Sequence, residues 1–154
     1  MMATSSHDGR LVMAGWLNNT RHTCTVIVWH SDDGGASYQL GATLRGACET
    51  SLAQLSDGRL MVLGNDCSVA DGGPCPGDTL ALAFSSDGGD SFTPWQCKRE
   101  LVNTNSKASL LVMNVTGREV VLVSARTPVA SQLLGTPSSM PFDHVALHIV
   151  SQPA

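Results

Sequence analysis

The sequence predicts an all-β fold, a partial β-propeller of four-stranded antiparallel blades. Three observations predict it. A motif of the form Ser-x-Asp-Gly-Gly-x-Ser-aromatic occurs twice, at Ser31–Tyr38 and at Ser85–Phe92, each time after an apolar run (Val26–Trp29 and Leu80–Phe84). A second motif, Asp-Gly-Arg-Leu leading into apolar residues, precedes each copy, at Asp8–Met13 and Asp57–Val62, with a looser echo at Thr116–Val121. No segment holds a 3.6-residue apolar period for three turns, so long helices are not expected. Turn motifs recurring about every fifty to sixty residues between short apolar strands are the signature of propeller blades.

Taken in order, the first unit covers about 8–41 and enters at its second strand. Its Asp8-Gly9 turn feeds an apolar strand, and a further strand, Thr25–His30, runs into Ser31. The best-formed unit covers about 48–97, with strands expected at Glu49–Leu55, Arg59–Gly64, Thr79–Ser85 and Ser91–Gln96. The third covers about 106–151; its strand Val145–Val150 meets Ser151-Gln152-Pro153-Ala154 and stops. Arg126–Phe142, with three prolines, reads as a long loop. One whole blade and two partial ones are too little to close a ring, so the remaining blades are expected outside this chain.

Within each twin turn the residue types have separate jobs. Gly35 and Gly89, with the glycines before them, allow the positive φ of a tight turn. Asp33 and Asp87 can accept backbone N–H groups of their own loops, with Ser31 and Ser85 beside them. Tyr38 and Phe92 start the return strand and can anchor it in a packed layer. Asp33 and Asp87 could instead be read as an acid/base pair; the turn role is preferred because each has a local use.

The 154 residues carry a net charge of −4 with no basic run, which argues against a nucleic-acid surface. No apolar run reaches membrane length, and the first ten residues contain no apolar signal core. There are five cysteines; Cys67 and Cys75 flank Ser68–Pro74, a loop that a disulfide between them could staple. Two glycosylation-type triplets, Asn18-Asn19-Thr20 and Asn114-Val115-Thr116, suit a secreted protein, so the chain leans towards a secretory parent. Asp66, Asp71 and Asp78 beside the two cysteines suggest a metal loop, but the spacing fits no zinc pattern, so no metal and no cofactor are expected. His22, His30, His144 and His148 are scattered, and His30 and His148 read as packed or surface groups at strand ends. Trp16, Trp29 and Trp95 are assigned to the core or the space between blades, with sugar stacking the alternative.

The order Glu49-Thr50-Ser51-Leu52-Ala53-Gln54-Leu55-Ser56-Asp57-Gly58-Arg59-Leu60, then an apolar strand, then Ser85–Phe92, resembles the sialidases (neuraminidases). In that family a Glu opens a strand that ends in a Leu-x-Asp-Gly-Arg turn, and repeated Asp-boxes (BNR repeats) close the blades. Residues 106–111, 117–128 and 143–151 look like the family's following blade. The resemblance covers nearly the whole chain, as the middle of a longer protein.

It implies a six-bladed propeller and a retaining exo-α-sialidase, a glycoside hydrolase that removes terminal sialic acid from glycoconjugates. A tyrosine nucleophile replaces the usual carboxylate, which avoids repulsion with an anionic substrate. A Glu beside the tyrosine takes its proton, an Asp is the acid/base, and three arginines clamp the sugar carboxylate. Glu49 aligns with the tyrosine's partner. The arginine expected after the Asp-Gly-Arg strand falls at Asn65, and the next falls at Asp143; Arg126 lies in the preceding loop, out of place. The first arginine and the Asp would precede this chain and the tyrosine would follow it, since Tyr38, the one tyrosine present, closes an Asp-box. The implied partner is a sialylated glycan, with the chain alone inactive. The alternative is a non-catalytic Asp-box propeller acting as a glycan-binding or interaction scaffold.

Overall fold

The computed structural model describes residues 2–4, 7–18, 24–65, 75, 79–103, 107–126 and 145–150. All regular elements among them are strands. The first sheet is β1 (Met2–Thr4), β2 (His7–Asn18), β3 (Cys24–Ser31) and β4 (Gln39–Arg45); the second is β5 (Cys48–Gln54), β6 (Leu60–Asn65), β7 (Thr79–Ser85) and β8 (Gln96–Val102). The third is β9 (Ser109–Val115), β10 (Arg118–Arg126) and β11 (Val145–Val150). Within each sheet the strands lie in chain order and every pairing is antiparallel. The chain is an all-β stack of propeller-type sheets.

Two strand placements depart from the sequence reading. The first sheet carries an additional strand, β1, whose Met2 pairs with Val12, so it does not begin at its second strand. The last strand of the second sheet forms at Gln96–Val102 rather than Ser91–Gln96. Pro94 has no N–H to give a ladder, and Thr93 is already engaged with Phe84. Its N–H donates to the Phe84 carbonyl at 2.8 Å and its hydroxyl accepts from the Phe84 N–H at 3.1 Å. Trp95 is drawn away to the first sheet, where its indole N–H donates to the Arg45 carbonyl at 2.9 Å.

The second sheet is packed on both faces, which explains its unbroken apolar runs. Alternation along β6 sends Leu60 and Val62 to a core shared with Val12, Val26, Val28 and Leu44 of the first sheet. Met61 and Leu63 enter a second core with Val121 and Val123 of the third sheet. β7 does the same with smaller residues on one side: Ala81 and Ala83 face the first sheet, Leu80 and Leu82 the third. The small side chains let the first two sheets approach closely. A Cβ on Gly64 would lie 2.5 Å from the Ala47 Cβ and 3.0 Å from the Trp95 ring, so no larger residue fits there.

The twin turns share one hydrogen-bond pattern. The Ser31 hydroxyl donates to Asp33 Oδ1 at 2.7 Å and accepts the Gly35 N–H at 2.8 Å; Asp33 also accepts the Ser37 N–H at 2.9 Å. In the second copy the Ser85 hydroxyl donates to Asp87 at 2.8 Å and accepts the Gly89 N–H at 2.9 Å, and Asp87 accepts the Ser91 N–H at 3.0 Å. The Ser37 hydroxyl and N–H hold the Asp33 carboxyl well below the usual carboxylate range. Burial alone would raise the Asp87 pKa, but the Ser91 hydroxyl and N–H and the Ser85 hydroxyl outweigh it and bring it down to about 2.

Asp87→Ala should therefore destabilise the chain by about 2 kcal/mol at neutral pH, the scale of lost hydrogen bonds to a charged group. The folded-state pKa lies below the ordinary 3.8, so this contribution is complete above 3.8 and disappears as the pH falls from there through about 2. Thermal melts of both proteins across that range should converge. A gap that stays constant down to the acid end would contradict the assignment.

Candidate functional site

Glu49 sits where β5 departs from regular pairing. Cys48 is opposite Asn65 and Ser51 opposite Leu63, so Glu49 and Thr50 together face Gly64 in a β-bulge. Glu49 has φ +33°, a left-handed conformation that a residue with a Cβ adopts only when its surroundings impose it. Three constraints do so. Cys48 is bridged to Cys24 at the start of β3, with Cα atoms 5.0 Å apart. The Gly46 N–H, at φ +91°, donates to the Cys24 carbonyl at 2.9 Å. On the far side of the bulge, the Thr50 hydroxyl donates to the Leu63 carbonyl at 3.0 Å.

The bulge brings the half-buried Glu49 carboxylate onto Asn65, whose Nδ2 donates to Glu49 Oε2 at 2.9 Å. Asn65 is 2% exposed, so the amide is a fixed part of the wall. The pair offers an anchored carboxylate and a neutral amide. That suits accepting hydrogen bonds from hydroxyl groups, and Asn65 brings no positive charge to a ligand.

The strand registers set this site at one end of the sheets and the twin turns at the other. Cys24 and Cys48 mark the Glu49 end, while Leu11 opposite Ser31 and Leu60 opposite Ser85 mark the turn end. At 3.3 Å per residue the seven residues of β5 put roughly 20 Å between the two ends. Tyr38, at the far side of its turn, therefore lies well away from Glu49. Asp33 and Asp87 belong to separate turns and are bonded within them.

The cysteine pairing differs from the sequence expectation of Cys67 with Cys75. Cys75 is bonded to Cys97, with Cα atoms 5.5 Å apart. It is fully buried in the core between the first two sheets, where Cys97 also packs, so its partner comes from β8 rather than from its own loop. Cys67, Asp66, Asp71, Asp78, His22, His144 and Asp143 lie outside the described residues, as do the side chains of Arg126 and His148.

A charged cluster at the turn end has no counterpart in the sequence reading. Arg10, 7% exposed, forks onto Asp32 with Nε and Nη2 at 2.7 and 2.8 Å. Its Nη1 reaches Asp90 at 3.1 Å and the Gly88 carbonyl at 3.4 Å. Buried His30 places Nδ1 3.3 Å from Asp90. Arg10 belongs to the first sheet, Asp32 to the first turn and Asp90 to the second turn, so the cluster joins the two sheets. Beside it the Ala42 N–H donates to the Gly89 carbonyl at 3.0 Å, and a Cβ on Gly41 would lie 2.6 Å from that oxygen. The second turn is thus seated in the first sheet: a Cβ on Gly89 would also meet Val28 and Val12 at 3.2 and 3.3 Å, whereas one on its counterpart Gly35 would meet only Tyr38 and Leu11 of its own sheet region, at 3.4 and 3.5 Å. The sequence signal was present in the twin motif: Asp32 and Asp90 occupy its two variable positions.

The stacked antiparallel sheets define a segment of propeller architecture. No family model matches the chain. In sequence it is similar to a sialidase of Micromonospora viridifaciens, 29% identical over 106 residues that cover 68% of this chain and 15% of that protein. Among solved structures it superposes on a Hadza microbial sialidase with a TM-score of 0.62 and 21% identity, covering 79% of this chain and 23% of the other. It superposes on the Trypanosoma rangeli sialidase in complex with 2,3-difluorosialic acid, a covalent intermediate, with a TM-score of 0.58 and 16% identity, covering 79% and 19%. The chain thus spans less than a quarter of the length of each of these relatives. Its fold is that of the sialidase propellers, and its sequence relates it to the sialidases. Among the described residues no helix is long and apolar enough to cross a membrane.

Proposed function

We propose that this chain is a segment of a sialidase-type propeller that presents Glu49 to a terminal sialylated glycan, and that by itself it binds such a glycan without hydrolysing it. One observation carries the reading: the Glu49 carboxylate is fixed in a left-handed bulge by the buried Asn65 amide. Bulges and strained backbone concentrate at sites where a side chain must be aimed. Sugar hydroxyls are the natural donors to such a carboxylate.

Two features withhold hydrolysis from the chain alone. Where the sialidase pattern has a clamp arginine, Asn65 gives a neutral amide, and losing one charge-assisted carboxylate contact costs about 1.5–3 kcal/mol. The one tyrosine, Tyr38, is at the turn end, so Glu49 has no phenol of this chain to activate.

The test pairs turnover with binding. Release of a fluorescent aglycone from a sialoside should be absent for the chain and for Glu49→Gln. Saturation-transfer NMR with sialyllactose should show binding to the chain and a weaker signal for Glu49→Gln, which keeps the shape and removes the charge. Turnover that vanishes in the variant would overturn the non-hydrolytic part. Absence of both binding and turnover would favour the interaction scaffold.

A further inference from the structure

We propose that Asn114 is a modification site carrying an N-linked oligosaccharide. The triplet Asn114-Val115-Thr116 has the acceptor form Asn-x-Thr, and the fold places all three residues on the surface, Val115 being 42% exposed. Asn114 and Val115 end β9, and Thr116 opens the turn into β10. Val115 pairs with Arg118 across it, and Thr116 and Gly117 have φ +51° and +81°, the positive pair that a two-residue hairpin turn requires.

The hydrogen bonding at this turn is compatible with the product. The Gly117 N–H donates to Asn114 Oδ1 at 2.8 Å, so the carbonyl oxygen of the side chain holds the turn and Nδ2 is the remaining group. In the transfer, Nδ2 forms a bond to the anomeric carbon of a lipid-diphosphate-linked oligosaccharide. The bond from that carbon to the phosphate oxygen breaks, the lipid diphosphate leaves with the electron pair, and one amide proton passes to a base of the transferase. The product keeps the Asn114 carbonyl and hence its bond from Gly117.

A second, independent observation concerns the route the chain takes. Cys24–Cys48 and Cys75–Cys97 are both bridged. Disulfides form and persist in oxidising environments, the lumen of the endoplasmic reticulum among them, and it is in that lumen that this transfer occurs.

The site also leaves the Glu49 end clear. The Leu110 N–H donates to the Ser51 hydroxyl at 3.1 Å, which fixes the start of β9 beside the middle of β5. The Ser56 N–H donates to Glu119, which sets the two hairpin turns side by side. Asn114 therefore lies at the turn end, and its sugar would project away from Glu49. That compatibility rests on the function proposed above; the glycosylation itself does not.

The experiment secretes the full chain from eukaryotic cells behind a cleavable leader. Trypsin cutting after Lys107 and Arg118 isolates Ala108–Arg118 as one peptide. Treatment with peptide N-glycosidase in heavy-oxygen water should convert Asn114 to a labelled aspartate, with the peptide found only after treatment. Thr116→Ala should lose one glycan step on a gel while keeping the Asn114 side chain, and Thr116→Ser should retain it. Unmodified Ala108–Arg118 as the main form in the secreted protein, or an unshifted Thr116→Ala, overturns the assignment. If Thr116→Ala is not secreted, the wild-type peptide decides alone. None of these outcomes depends on binding or turnover of a sialoside.

Discussion

Replacing Cys24 and Cys48 together with alanine is expected to lower the unfolding free energy by about 3.5 kcal/mol, the loop-entropy scale for a closed loop of roughly this length. The bridge joins residues 24 positions apart in sequence and ties the start of β3 in the first sheet to the start of β5 in the second. In the unfolded chain it removes conformations; in the folded chain it fixes the residue immediately before Glu49. The loss should therefore appear twice. Urea melts should shift by about the stated amount, and the Asn65 side-chain amide should lose its distinct NMR position as the bulge relaxes. Removing Cys75 and Cys97 together should cost a similar free energy, since the separation is 22, but should leave the Asn65 amide in place. A loss below about 1 kcal/mol for the first pair would show that packing alone holds the two sheets in register.

The parts legible in the sequence are those whose chemistry is local. The twin turns could be read because Ser31, Asp33, Gly35 and Ser37 bond to one another within a few residues, as do Ser85, Asp87, Gly89 and Ser91. The two-faced burial of β6 and β7 was likewise written in their unbroken apolar runs. What could not be read depends on which distant residues meet. Cys75 finds Cys97 because both pack into the core between the first two sheets. β8 begins late because Thr93 and Trp95 are committed to Phe84 and Arg45, contacts that no spacing rule contains. At the candidate site, Glu49 was visible as the start of a strand. Its left-handed backbone and its hold on Asn65 follow from a bulge that only the pairing of Cys48 with Asn65 and of Ser51 with Leu63 defines.

Arg10→Ala should cost about 3 kcal/mol, at the lower edge of the range for breaking a buried ion pair. Arg10 is almost fully enclosed, with a side chain 8% exposed, whereas its partners Asp32 and Asp90 are 50% and 48% exposed. When the cation is removed those carboxylates can recover water, which holds the cost near the bottom of the range. The pKa of the Arg10 guanidinium is raised chiefly by its hydrogen bond to Asp32, against the opposing effect of burial, and the group stays charged throughout. Arg10→Lys should recover only part of the loss, because an ammonium cannot fork onto Asp32 while also reaching Asp90 and the Gly88 carbonyl. The damage should be localised. The Ala42 amide, which donates to the Gly89 carbonyl across the joint, should exchange with solvent faster in Arg10→Ala. The Gly35 amide, bonded inside the first turn to Ser31, should keep its protection relative to global unfolding. A double-mutant cycle of Arg10→Ala with Asp90→Ala should give a coupling on the order of 1 kcal/mol. Arg10→Ala with an unchanged Ala42 exchange rate and no coupling to Asp90 would show that the apolar core, rather than this cluster, seats the second turn in the first sheet.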